Sequence, residues 1–417
     1  MSVGIRHDDL RRRNRAMVIS AVRRASQPSR TEIAAVTGLS HSTISTISSD
    51  LIAEGILAEA KGGEQSPMKR GRPQVGLALE ADAASVVAVV LSLNHLSASV
   101  IDYAGNQIVE ETRRLVTQRL PAKALVDECV AIVRQVIARS GRPQASVLRI
   151  ALAIQGTTDA GARKLLWSPI TPHDDIQFAD RLEREFGVTV TVENDCNMIA
   201  EALHWRDPAR YRDDFIAILL SHGIGMGLVI KGELFTGTQS SGAEFGHMVH
   251  RPDGALCRCG RRGCIEAYAG NYAIWRNARL GDENAEPLAD LSDEDIKALA
   301  DAARDHDGPE REAFRKAGEA IGFGLGSMFA LFDPAPLAFV GVGATAFDIM
   351  EPYVRSAIAK TAGGTHSKAI SFDTEPNEVP LIREGCTMRA LLYVDEEVFA
   401  AGSVPRRAEA DIPLKDI

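Results

Sequence analysis

Three cysteines fall within eight residues in the stretch CRCGRRGCIE, residues 257–266 of a 417-residue chain that contains only six. Cys257, Cys259 and Cys264 form C-x-C-x4-C, and His247 lies ten residues upstream of the first. Three thiolates and one imidazole make a closed tetrahedral zinc site of the structural kind, one ion per chain. Such a site leaves no open position for a reacting water, so it pins a loop and does not catalyse. On local spacing His250 competes with His247 for the fourth position, and redox-active thiols are the rival use of the cluster. Six cysteines in a chain of this length are no disulfide scaffold, which points to the cytoplasm, where thiols stay reduced.

Two other stretches carry chemistry. In VENDCNMIAEA, Asn194, Asp195 and Asn197 stand where a strand gives way to a helix, a usual place for ligand groups in α/β folds. A carboxylate there can bind hydroxyls or act as a general base, and capping of the helix is the competing role. In SHGIGMGLVIKG, Gly223, Gly225 and Gly227 alternate, as in a backbone cradle for phosphate or in a tight β-hairpin.

The elements that must position these residues alternate between strand and helix, so the body is α/β. Two strands, a tight turn at YAGN and a third strand run through 85–114, followed by a helix at AKALVDECVAIVRQVIARSG and an apolar strand at VLRIALAIQG. ADRLEREFG reads as helix, VTVTVEND as strand, and FIAILLSHGIGMGLVIKGEL as strand, glycine-rich turn and strand. A long apolar helix, a buried strand at PLAFVGVG and another helix close the chain. No run of about 18 apolar residues is present, so no membrane span or membrane partner is expected.

The net charge of −9 is unevenly spread: residues 1–75 hold twelve Lys/Arg against seven Asp/Glu. A basic head on an acidic body fits a head that meets a polyanion. Asn14 can cap a first helix whose apolar face is Met17, Val18, Ala21 and Val22. Ser29-Arg-Thr-Glu32 has the form of a capping box, Gly38 ends the second helix, and Ser40 caps a third whose stripe is Ile44, Ile47 and Leu51. Its other faces carry His41, Ser42, Thr43, Ser45, Thr46 and Ser49, hydroxyls suited to phosphates and base edges. Two helices around a tight turn, then GILAEA, a basic loop and QVGLAL, make a winged helix-turn-helix over residues 1–79. The DNA contacts expected are Arg30, Ser40, His41, Ser42, Thr43, Ser45 and Thr46, with Arg70 and Arg72 of RGRP entering a minor groove from the wing; an interdomain linker is the competing reading of RGRP.

With these motifs in order, the chain resembles the ROK family of repressors, open reading frames and sugar kinases. LLSHGIGMGLVIKGELFTGTQSSGAEFGH is similar to the family's signature segment, CRCGRRGCIE to its zinc segment, and RAMVISAVRRASQPSRTEIAAVTGLSHSTIS to the winged helix-turn-helix of its xylose-repressor and N-acetylglucosamine-repressor types. The resemblance implies an actin-like, two-lobed sugar kinase (ribonuclease H-like) fold for residues 80–417, with a smaller lobe of about 80–193 plus the C-terminal helix and a larger lobe of about 194–385. It favours His247 over His250 as zinc ligand. It places Asn194, Asp195, Glu244, His247 and Glu266 in a sugar pocket.

Family kinases carry an Asp-x-Gly-Gly-Thr phosphate loop in the first hairpin of the body. Here that place reads LSLNH, Leu91 to His95, and His222 stands where kinases have Thr. Gln155 replaces a common Pro. The reading is therefore a non-enzymatic, sugar-responsive regulator, a repressor that binds a double-stranded operator as a homodimer or homotetramer. A DNA-binding sugar kinase and a regulator controlled by a protein partner are the alternatives.

Overall fold

The first helix, α1 (His7–Ala25), already runs through Asn14, which therefore lies inside it and caps nothing. Asp8 and Asp9 complement the positive end of the helix dipole, and the arginine run that follows is a good helix former. The computed structural model describes residues 7–60, 75–238, 242–288, 291–364 and 370–402; Arg70 and Arg72 lie outside them.

The next two helices form as their caps dictate. In α2 (Arg30–Thr37), Ser29 and Glu32 make a reciprocal capping box, and Gly38 ends the helix at φ 71°. In α3 (His41–Ala53), the Ser40 side chain accepts from the Thr43 N–H, and Ile44, Ile47 and Leu51 are buried. Short strands β1 (Leu57–Glu59) and β2 (Leu77–Leu79) then pair antiparallel.

The body is built twice on one plan. Strands β3 (Ser85–Ser92), β4 (His95–Asp102) and β5 (Gln107–Arg114) form a meander. After α4 (Ala122–Arg139) comes β6 (Val147–Ile154), then a small flap of β7 (Thr157–Thr158) and β8 (Leu165–Trp167), then α5 (Phe178–Phe186) and β9 (Thr189–Asn194). The sheet order is β5-β4-β3-β6-β9, with β6 and β9 parallel to β3. Helix α6 (Asp195–Arg206) leads to β10 (Phe215–Leu220), β11 (Ile224–Ile230) and β12 (Glu233–Leu234). Helices α7 (Glu266–Ala269), α8 (Asn271–Ala278), α9 (Asp293–Asp305) and α10 (Pro309–Met328) precede β13 (Leu337–Val340), α11 (Phe347–Ala359) and β14 (Phe372–Glu375). The second sheet reads β12-β11-β10-β13-β14, again a meander plus two parallel strands. No described helix is long and apolar enough to cross a membrane.

Helix α12 (Glu378–Tyr393) returns to lie with α6 between the sheets. One face of each sheet joins them in a shared core: Val86, Ala88 and Val90 from β3, Ala217 and Leu219 from β10. The opposite faces pack on α4 and α5, and on α7–α11.

A π-helical turn, Val394–Phe399, continues α12 and grips the head. Arg23 of α1 forks onto Asp395 at 2.6 and 2.9 Å, with side chains only 4% and 2% exposed. The Tyr103 hydroxyl donates to the same carboxylate at 2.6 Å, and Arg23 donates to the Tyr103 carbonyl at 3.0 Å. Arg15 reaches the Phe399 carbonyl at 2.9 Å, and Arg12 the Glu396 carbonyl at 3.2 Å. Removing one partner of a buried pair strands the other charge. Asp395→Ala should lower unfolding stability by about 3–5 kcal/mol, whereas the apolar double change Arg23→Met with Asp395→Leu should recover most of it. Equal losses in both variants, by denaturant titration, would show that the pair itself is not the source.

Candidate functional site

An open cleft lies between the two sheets. It brings together all five expected residues, Asn194, Asp195, Glu244, His247 and Glu266. The end of β9 delivers the first two, the loop after β12 the next two, and the start of α7 the last.

At Asn194 the capping role is met. Its Oδ1 accepts from the Asn197 N–H at 3.0 Å, capping α6, and its Nδ2 donates to the Gly156 carbonyl at 2.9 Å. Asp195 is 4% exposed, and burial pushes its carboxyl up to about 7. Glu244 is also raised by burial, and it accepts from the Thr157 hydroxyl across the cleft at 3.2 Å. Glu266 accepts from the Ile224 N–H at 3.2 Å and from the Tyr272 hydroxyl at 3.4 Å.

Behind this wall sits the thiol cluster. The ligand atoms of His247, Cys257, Cys259 and Cys264 all lie within 4.8 Å of one another. Cys259 and Cys264 sulfurs are 3.8 Å apart, as are the Cys257 sulfur and His247 Nδ1. A tetrahedral ion with metal–sulfur bonds of about 2.3 Å needs edges of about 3.8 Å, so the donor set fits zinc. His250 is elsewhere, its ring 5.0 Å from that of Tyr268 and 6.1 Å from Phe323. With Nδ1 among the sulfurs, Nε2 is 4.0 Å from Glu244. Cys257 also lies 3.5 Å from Glu266, so the cluster buttresses two members of the cleft.

The glycine alternation serves packing. A Cβ at Gly225 would strike the Cys196 sulfur and one at Gly227 the Cys196 carbonyl, so both glycines admit α6 onto β11. A Cβ at Gly223 would come within 2.7 Å of Glu266. In the β3–β4 turn, Asn94 takes φ 58°. The Leu93 N–H donates to Gln155 Oε1 and the Asn94 N–H to the Thr117 hydroxyl, both at 3.4 Å.

In the head, His41, Ser42, Ser45 and Thr46 are exposed on α3, and Thr43 is half-buried. Ser40 contacts the Ser42 and Thr43 hydroxyls at 2.9 and 2.8 Å while capping the helix, and Arg30 pairs with Glu59 at 3.3 Å. Two cleft residues escape sequence reasoning: Trp167, whose ring centroid lies 5.7 Å from that of His247, and Thr157 beside it in the flap. One of only three tryptophans, set in LLWSPITPH, is the signal that could have pointed to the first.

Two sheets of one plan closing on an acidic cleft, with a Cys3His cluster behind it, define a two-lobed sugar-kinase-like fold. Residues 87–375 match the ROK family, and the chain belongs to it. It is 25% identical over 321 residues to the xylose repressor of Bacillus subtilis (strain 168), covering 77% of this chain and 80% of that protein. A ROK family transcriptional regulator, described as a homolog of the E. coli MLC protein, superposes with TM-score 0.74 at 21% identity over 94% of this chain and 99% of that one. A ROK glucokinase from Streptomyces griseus, solved with glucose and AMPPNP, superposes with TM-score 0.60 at 24% identity over 74% of this chain and 99% of its own.

The buried carboxylate has a measurable consequence. Its native pKa of about 7 exceeds the ordinary 3.8, so the folded state binds the extra proton. Stability is then unaffected below the ordinary value and falls as pH rises from about 4 to 7. Asp195→Asn should stabilise the ligand-free protein at pH 8 by up to roughly 4 kcal/mol, and by clearly less at pH 5. A gain that is the same at both pH values in denaturant titrations would refute burial of charge as its cause.

Proposed function

We propose that this chain is a sugar-responsive transcription repressor of carbohydrate uptake or catabolism genes, whose head is a winged helix-turn-helix. The observation that carries the reading is the joining of two surfaces in one chain. An acidic cleft and an exposed, hydroxyl-bearing α3 are connected through the Arg23–Asp395 contact. The relative named xylose repressor supports the same reading. Asn194, Asp195, Glu244, His247 and Glu266 would grip sugar hydroxyls through paired hydrogen bonds. Dimeric heads would read a pseudo-palindromic operator with α3 in the major groove.

The kinase reading is disfavoured by the β3–β4 turn. Its backbone N–H groups are engaged by Gln155 and Thr117, and no carboxylate stands in LSLNH to help hold a metal-bound nucleotide. Asp195 would then meet a sugar hydroxyl without a phosphoryl donor. Zinc, held by His247, Cys257, Cys259 and Cys264, would supply a cross-link that fixes the loop bearing His247 and the start of α7. No chemistry passes through it.

Release of DNA requires that the sugar prefer the non-binding arrangement, since equal affinity for both shifts nothing. Anisotropy of labelled DNA from upstream of its own gene, at fixed salt, tests the assignment. One sugar should release the wild-type protein, while Glu244→Ala should bind DNA within about twofold of wild type and ignore that sugar. An equal fall in DNA affinity would remove Glu244 from the pocket. Cys257→Ala should reduce bound zinc from one per chain to none and lower the melting temperature by several degrees, on the order of 2 °C per kcal/mol lost. A zinc-free wild-type protein with an unchanged melting curve would dispose of the metal.

A further inference from the structure

The cleft carries information about the charge of its ligand. Asp195, Glu244 and Glu266 line it, and no Lys or Arg does among the described residues. Sites for phosphate or carboxylate supply arginine forks, lysines or unengaged amides at a helix start. Several of the amides here are already used. At the start of α6 the Cys196 N–H donates to Asp195 at 2.9 Å and the Asn197 N–H to Asn194 at 3.0 Å. The Ile224 N–H serves Glu266 at 3.2 Å, and the Leu93 N–H serves Gln155 at 3.4 Å.

Trp167 provides the complementary half. Its indole lines the cleft and meets the His247 ring nearly perpendicularly, at 79°. An aromatic side chain and carboxylates lining one cleft suit a ring with an apolar C–H face and a rim of hydroxyls.

Resting on the sugar reading of the cleft, we infer that the ligand is a pyranose without anionic groups, seated on Trp167, and that phosphorylated sugars and uronates are rejected. The cleft thus senses a sugar before it is phosphorylated or oxidised.

Calorimetric titration of the full-length, zinc-loaded protein would use matched probes. These are glucose, N-acetylglucosamine, glucosamine and xylose against glucose 6-phosphate, N-acetylglucosamine 6-phosphate and glucuronate. At least one non-anionic sugar should bind, and its anionic counterpart should bind about 100-fold more weakly or not at all. Tighter or equal binding of the anionic partner overturns the ligand class and leaves the cleft a sugar site. Heat from none of the seven overturns the sugar reading and this inference with it. For the aromatic wall, Trp167→Ala should weaken binding about tenfold or more, and Trp167→Phe should restore part of the loss. The wild-type tryptophan emission should shift on adding the sugar, and the shift should vanish in Trp167→Phe. Wild-type affinity in Trp167→Ala overturns the role of Trp167.

Discussion

The approach of two helices to each other and to a sheet, closer than side chains would permit, is the constraint on which this molecule depends. Helix α6 meets β11 through Gly225 and Gly227, where any side chain would strike Cys196. On its other side α6 meets α12 through Gly385, whose Cβ would collide with the Met198 backbone. Protein interiors at crystal-like density deform little, so elements in backbone contact move together. The first residue of α6 is Asp195, in the cleft, and the turn that follows α12 holds Asp395, beneath the head. Cleft and head are therefore the two ends of one packed train.

The thiol cluster imposes a second constraint. A polar loop such as CRCGRRGCIE cannot bury enough apolar surface to order itself, and a ligand set within 4.8 Å can do what packing cannot. The ordered loop holds one imidazole and one carboxylate in place from behind. The front of the cleft is costly: Asp195 and Glu244 are both raised by burial, a penalty that fits the proposed role of binding hydroxyls.

Local signals were legible because their physics is local. The Ser29–Glu32 box, the left-handed Gly38, the YAGN turn and the cysteine spacing each involve residues a few positions apart. The five cleft residues came from resemblance to a family, and the cleft does assemble them. What escaped was tertiary. Arg23 reads as one basic charge among many, and only a fold that brings residue 395 back to it reveals a buried pair. The glycines of β11 read as a turn or a phosphate cradle because the helix that needs them is a separate element. Asn14 reads as a cap when taken alone, but the arginine run before it is helix-forming enough to carry α1 back to His7.

The energetics of a response can be bounded from one contact. Thr157, on the flap of the first sheet, donates across the cleft to Glu244, which belongs to the second. Under the proposed function, a sugar hydroxyl on that carboxylate would compete with Thr157 and so change what joins the two sheets. A hydrogen bond to a charged group is worth about 1.5–3 kcal/mol, and 1.4 kcal/mol is a tenfold change in an equilibrium. The Thr157–Glu244 bond is open to water, which can replace either partner, so exchange of this one bond by itself shifts the DNA-binding population little. A shift from nearly all bound to nearly all released needs about 5.5 kcal/mol, so several of the cleft's polar groups must discriminate between the two arrangements together.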